Sequence, residues 1–84
     1  MATLEEIAVD MERQAKRRQV SIRTLPRGLK MELVVAGGQK TLSLARASGP
    51  PAEQEVEVCR QAFQVPADAQ PHAVGRTVTF RWTI

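Results

Sequence analysis

The apolar residues of this chain recur first at helical spacing and then at strand spacing. The helical stretch comes first, and its apolar positions are Leu4, Ile7, Ala8, Met11 and Ala15. Thr3 is followed three residues later by Glu6, which is the pattern of a capping box at a helix N-terminus. The spacing therefore predicts an amphipathic helix over residues 4 to 18.

From Val20 onward the apolar period changes to two, which predicts a series of strands. The segment Leu25-Pro26-Arg27-Gly28 has proline at the second position of a β-turn. Gly37-Gly38 favours a tight hairpin. The apolar residues between and after these turns are Leu29, Met31, Leu33, Val35, Leu42 and Leu44. The pattern predicts an antiparallel meander of three strands.

Prolines and a second helical period mark the next element. Pro50 and Pro51 are tolerated in the first turn of a helix, and Pro66 is expected to end it. The residues expected on its apolar face are Ala52, Val56, Cys59 and Phe63. Residues 65 to 75 are then expected to form a loop. Apolar and polar residues alternate from residue 76 to residue 84, which predicts a final strand.

The order α-β-β-β-α-β predicts one α+β domain over residues 1 to 84. We expect a two-layer sandwich in which a four-stranded, mainly antiparallel sheet has both helices on one face. The final strand is expected beside either the first or the third strand. The other face of the sheet would be open, and the residues expected on it are Ser21, Arg23, Lys30, Glu32, Thr41, Ser43, Thr77, Thr79 and Arg81.

Composition limits the chemistry of the chain. Its single cysteine, Cys59, excludes an intrachain disulfide, and with His72 as the only histidine the sequence predicts no metal site. No apolar run approaches the roughly 20 residues that cross a membrane. Glu5 and Glu6 are unlike the start of a secretory signal. We therefore expect a cytoplasmic protein with no cofactor, no metal and no membrane association.

Charge is distributed unevenly along the chain, although the net charge is only +3. Residues 13 to 30 contain seven basic side chains and no acidic one, whereas residues 53 to 68 contain four acids and one arginine. A cluster of positive charges of this kind produces a local electrostatic potential that can attract a polyanion. The candidate anion-binding residues are Arg13, Lys16, Arg17, Arg18, Arg23, Arg27 and Lys30.

Two functions of different kinds are consistent with this pattern. The first is a small non-enzymatic binding module that holds an anionic partner on the basic residues, nucleic acid being the commonest such partner. The alternative is a protein-interaction or homodimerisation module that uses the open sheet face or the edge of the C-terminal strand. A basic last helical turn also arises on stability grounds alone, because it complements the helix dipole.

An enzymatic function would rest on Cys59 and His72, the one conceivable thiol–imidazole pair. Cys59 falls in step with Val56 and Phe63 on the apolar face of the second helix, where a cysteine behaves as a small hydrophobe. The acidic residues of that helix lie in its first turns, where the helix dipole favours them. We therefore expect no catalytic site.

The α-β-β-β-α part of the predicted order resembles the double-stranded RNA-binding domain. That family reads phosphates with a lysine cluster at the start of its second helix. The corresponding stretch here, Pro50-Pro51-Ala52-Glu53-Gln54-Glu55, is acidic and contains no lysine. The chain also has an additional final strand, so the shared order assigns neither a family nor a function.

Overall fold

The computed structural model describes residues 3 to 84 and shows two helices and a five-stranded antiparallel sheet. This is an α+β fold, as the sequence predicts. The helices are α1 (Leu4–Arg18) and α2 (Glu53–Ala62). The strands are β1 (Val20–Thr24), β2 (Leu29–Ala36), β3 (Gln39–Arg46), β4 (His72–Val74) and β5 (Thr77–Thr83).

Helix α1 has the bounds that the apolar spacing predicts. Oγ1 of Thr3 accepts a hydrogen bond from the Glu6 N–H at 3.2 Å, which satisfies one of the free donors at the helix start. The helix ends before Gln19, whose φ of 72° is left-handed and whose N–H donates to the Ala15 carbonyl at 2.7 Å. A backbone hydrogen bond therefore fixes the point at which the chain turns from α1 into β1.

The strands lie in the order β1-β2-β3-β5-β4, and every neighbouring pair is antiparallel. The last strand pairs with the third and not with the first, so that Phe80 lies opposite Leu42. The prediction of four strands is wrong, because His72–Val74, expected in a loop, forms the short strand β4. Gly75, at a φ of 61°, lies in the turn that folds the chain from β4 back onto β5.

The C-terminal strand, β5, lies at an edge of the sheet over only part of its length. β4 pairs with residues 77 to 79 of β5, so the two edge strands are β1 and β4. Residues 80 to 83 of β5 have no strand neighbour on that side within the described part of the chain. A partner strand added to β5 is therefore limited to a short segment, whereas the whole of β1 is available.

Both helices lie on the same face of the sheet, as predicted. Ion pairs join Glu12 of α1 and Glu55 of α2 to residues on this face. The two helices and the sheet also share one hydrophobic core, whose buried residues are Ala8, Met11, Ala15, Leu29, Met31, Leu33, Leu42, Leu44, Cys59, Phe63, Val65, Val78 and Phe80. The opposite face of the sheet is left open.

The register of β1 is opposite to the one that its apolar pattern predicts. Ser21 and Arg23 lie opposite buried residues of β2, so they face the helices and not the open face. Val20 and Ile22 lie on the open face, where they are 41% and 54% exposed. An edge strand has one neighbouring strand and little core to contact, so burial constrains its register only weakly. The turn at residues 25 to 28 therefore sets the register of β1.

Helix α2 begins at Glu53, after both prolines and not at them. Pro51 is buried in the segment that leads into the helix. The helix ends at Ala62, four residues before Pro66. Within residues 3 to 84, neither helix combines the length and the apolar composition needed to cross a membrane.

Candidate functional site

Four of the seven candidate basic residues lie together in the second half of α1. We call them the helix cluster, and they are Arg13, Lys16, Arg17 and Arg18. All four are exposed. Because residues three and four apart are neighbours on a helix, Arg13, Lys16 and Arg17 project from the side of α1 that faces away from the core. Arg18 lies at the end of α1 and borders a cleft between α1 and β1.

The helix cluster has no compensating carboxylate at ion-pair distance within residues 3 to 84. Glu12 precedes Lys16 by four residues, a spacing that favours an ion pair between the two. Instead, Oε1 of Glu12 accepts a hydrogen bond from Nζ of Lys40 in β3 at 2.6 Å. Lys40 is largely buried, with its side chain 13% exposed, so this contact directs Glu12 inward and leaves Lys16 without its local partner.

Arg23 forms an ion pair with a second acidic residue of α1, Asp10. Its Nη1 donates to Oδ2 of Asp10 at 3.3 Å. Asp10 lies three residues before Arg13, close enough along the helix to pair with it. The contact with Arg23 directs Asp10 to the sheet. The charge of Arg23 is therefore paired with a carboxylate, whereas Arg13 has no ion-pair partner within residues 3 to 84.

Arg27 and Lys30 lie outside the helix cluster. Arg27 is exposed in the turn between β1 and β2, and its carbonyl oxygen accepts a hydrogen bond from Arg46 at 2.6 Å. Lys30 is exposed on the open face of the sheet, opposite Thr24 of β1. The structure therefore groups the four basic residues of α1 and separates Arg23, Arg27 and Lys30 from them.

An ion pair that the charge pattern does not predict joins α2 to β3. Nε of Arg46 donates to Oε1 of Glu55 at 2.9 Å, and a second guanidinium nitrogen contacts Oε2. The backbone N–H of Ala52 also donates to Oε1 of Glu55, at 3.0 Å. The hydrogen bond from Arg46, followed by the one from Ala52, lowers the pKa of Glu55 from 4.5 to about 2.

This pair predicts how stability depends on pH. Because the pKa of Glu55 is lowered in the folded state, its stabilising effect is complete above about pH 4.5 and is lost as the pH falls towards 2. Glu55→Gln should therefore lower the urea midpoint of unfolding at neutral pH. It should also make that midpoint fall less steeply as the pH is lowered from about 4.5 towards 2. Glu57→Gln is the matched control, since Glu57 pairs with Arg60 within the same helix and is half exposed. Equal pH profiles for the two variants would contradict the assignment.

Cys59 and His72 do not form a reactive pair in the described structure. Cys59 is 1% exposed in the core. Burial, with a smaller effect of the Glu55 charge, raises the pKa of its thiol to about 11, so the thiol is protonated at neutral pH. His72 is exposed on β4, on the open face of the sheet. Within residues 3 to 84, no three His, Cys, Asp or Glu side chains are grouped as metal ligands.

A groove of about 720 Å³ lies between α2 and the segment that leads into β4. Its apolar lining includes Val56, Pro71 and Val78. None of the seven candidate basic residues lines it. The groove and the helix cluster are therefore separate features of the molecule.

Comparisons with protein-family models, with curated proteins and with solved structures found no match to this chain. No residue role can therefore be transferred from a relative. Any function of the helix cluster rests on its own position, charge and exposure.

Proposed function

We propose that this protein is a non-enzymatic binding module that holds a polyanion, nucleic acid in the first instance, on the helix cluster of α1. One observation carries the proposal: Arg13, Lys16 and Arg17 are exposed without an ion-pair partner in the described residues, while acids of the same helix are bound to the sheet. The chain's single cysteine favours action in the cytoplasm, where thiols stay reduced.

The helix cluster suits a phosphate backbone better than it suits individual bases. Lysine and arginine side chains on one helix face can each approach a separate phosphate oxygen. Recognition of bases by stacking needs exposed aromatic rings, but Phe63 and Phe80 are buried and Trp82 packs against the core. We therefore expect binding that depends little on base sequence.

The dependence of binding on salt tests this proposal. Each neutralised phosphate releases counterions, so contacts from the four residues of the helix cluster predict a log–log slope of about −3 to −4 for a short DNA duplex. Fluorescence anisotropy with labelled duplex and single-stranded oligonucleotides measures the slope and shows which form binds better. Absence of binding to both forms at low salt, or an affinity that salt leaves unchanged, would refute polyanion binding.

Removal of Lys40 should weaken binding although Lys40 lies on the inner face of the sheet. In Lys40→Met, Glu12 loses its partner in β3 and becomes free to pair with Lys16, four residues along α1. We expect a several-fold weaker affinity for the duplex at low salt. Lys30→Met is the matched control, because it removes the same charge from the open face. Equal losses in both variants would mean that net charge alone matters.

A further inference from the structure

The edge strand β1 presents unpaired backbone groups along its length. The Val35 N–H donates to the Gln19 carbonyl at 2.9 Å, and the Leu25 N–H donates to the Leu29 carbonyl at 2.8 Å. Antiparallel ladders alternate between hydrogen-bonded and non-hydrogen-bonded pairs, so the odd-numbered residues from 19 to 25 bond to β2. The even-numbered residues therefore direct their N–H and C=O groups away from the sheet, and they are Val20, Ile22 and Thr24.

The same edge carries exposed apolar side chains. Val20 and Ile22 lie on the open face, 41% and 54% exposed, and the half-buried Val34 lies opposite Val20. Helix α1 does not cover the edge, because a cleft of about 280 Å³ lies between β1 and the side of α1 that carries Gln14. Apolar side chains beside unpaired backbone groups favour the addition of another strand.

We propose that β1 pairs with β1 of a second copy of this chain, antiparallel and about a two-fold axis at Ile22. Ile22 then faces the partner's Ile22, and Val20 faces the partner's Thr24. These are the residues whose backbone groups point outward, so each can form a hydrogen-bonded pair across the axis. The two sheets join into one continuous sheet, and the two Ile22 side chains cover each other on its open face.

The side of α1 that borders this edge carries an acidic residue towards one end and a basic residue at the other. Two antiparallel copies of this side are therefore complementary in charge. Asp10, Gln14 and Arg18 follow one another along it at four-residue spacing. Arg18 lies beside the start of β1, and Asp10 bonds to Arg23 near its end, so α1 runs antiparallel to β1. With rises of about 1.5 Å per residue in a helix and about 3.3 Å in a strand, Gln14 lies level with Ile22. The two-fold axis therefore places Asp10 against the partner's Arg18.

The helices leave room for this pairing. Helix α1 packs against β1 and β2, so its axis lies over this pair of strands. Two to three strand intervals of about 4.8 Å then separate the two α1 axes by about 10 to 14 Å. Helices in direct contact lie about 8 to 10 Å apart, so the two copies of α1 do not collide. Long side chains such as Arg18 can bridge the remaining distance.

Dimerisation and polyanion binding are separate proposals, although Arg18 belongs to both surfaces. Arg13 and Lys16 project from a different side of α1 than Asp10, Gln14 and Arg18 do, so the dimer leaves both of them exposed. A dimer would place two helix clusters on the same side of one sheet, which enlarges the cationic surface. Self-association is measured without any polyanion present, so its failure leaves the binding proposal unaffected.

Sedimentation equilibrium of the full chain over a wide concentration range tests the dimer. We expect the unmodified chain to reach twice the monomer mass of 9.3 kDa. Ile22→Lys places two like charges face to face on the axis, and the dimer should weaken at least about tenfold. Val74→Lys is the matched control, because Val74 is an exposed apolar residue of the other edge strand. A monomer at all concentrations, or a dimer that only Val74→Lys disrupts, would overturn the proposal.

A mixing experiment tests the orientation of the two copies. Asp10→Lys and Arg18→Glu should each weaken self-association, because each leaves two like charges opposed across the axis. Mixed together, the two variants should form a heterodimer, since Lys and Glu now face each other while Arg18 of one chain faces Asp10 of the other. Circular dichroism checks that both variants are folded. Two folded variants that do not associate on mixing would contradict the antiparallel arrangement.

Discussion

Replacing Arg13, Lys16 and Arg17 together by glutamine is expected to remove most of the salt-sensitive binding of the protein to a DNA duplex. The three side chains are exposed, and within the described residues none has an ion-pair partner, so their loss leaves the fold almost unchanged. Each lost phosphate contact reduces the salt slope by about one, and the affinity at low salt should fall on the order of a hundredfold. Fluorescence anisotropy and heparin retention measure both quantities.

The matched control is a triple variant with the same net charge. Arg27→Gln, Lys30→Gln and Arg81→Gln remove three exposed cations that lie outside α1. We expect this variant to keep most of its affinity, because it retains the helix cluster. If both triple variants lose binding equally, the field of the whole protein attracts the polyanion and the helix cluster has no special role.

Phe80→Ala is expected to destabilise the fold by about 3 to 5 kcal/mol. Phe80 is 0% exposed, and it lies opposite Leu42 between the sheet and the helices. Its truncation leaves a cavity beneath the helices that neighbouring side chains fill only in part. The total stability of a domain of 84 residues is about 4 to 13 kcal/mol, so the substitution removes a large share of it. Urea denaturation followed by circular dichroism measures the change.

Arg81→Ala is the control for that measurement. Arg81 is the next residue in β5, but its exposed side chain lies on the open face, opposite Thr41. A surface substitution of this kind should change the free energy of unfolding by about 0.5 kcal/mol or less. Comparable losses for Phe80→Ala and Arg81→Ala would contradict the burial of one sheet face and the exposure of the other.

Elements with a strong apolar period are those that the sequence predicts well. Helix α1 combines five apolar positions at helical spacing with a capping threonine, and its observed bounds, Leu4–Arg18, are the predicted ones. Gly37 and Gly38, both at positive φ, form the hairpin predicted between β2 and β3. In each case local backbone preferences and burial favour the same structure.

Two features of the sheet escape prediction because burial does not determine them. Strand β4 has three residues, all exposed, so no apolar alternation marks it, and pairing with β5 is what orders it. In β1, Val20 and Ile22 alternate as a half-buried strand would, but the register set by the adjoining turn places both on the open face. At an edge strand, register therefore depends more on the turn than on hydrophobic pattern.

The candidate site is predictable only in part, for a related reason. Sequence spacing shows that Arg13, Lys16 and Arg17 share one helix face, and the structure bears out their exposure. Spacing does not show that Glu12 and Asp10 bond to residues of β3 and β1, since those contacts depend on how the helix packs against the sheet. The uncompensated charge of the helix cluster is thus a property of the tertiary structure.

An amide chemical-shift titration with short single-stranded and duplex oligonucleotides tests most directly whether the helix cluster is the binding surface. The account predicts that the largest shifts fall on residues 13 to 18 of α1 and that they shrink as salt is added. It predicts small shifts for Thr79 and Arg81 on the open face of the sheet. Shifts confined to the open face, or none at low salt, would contradict it.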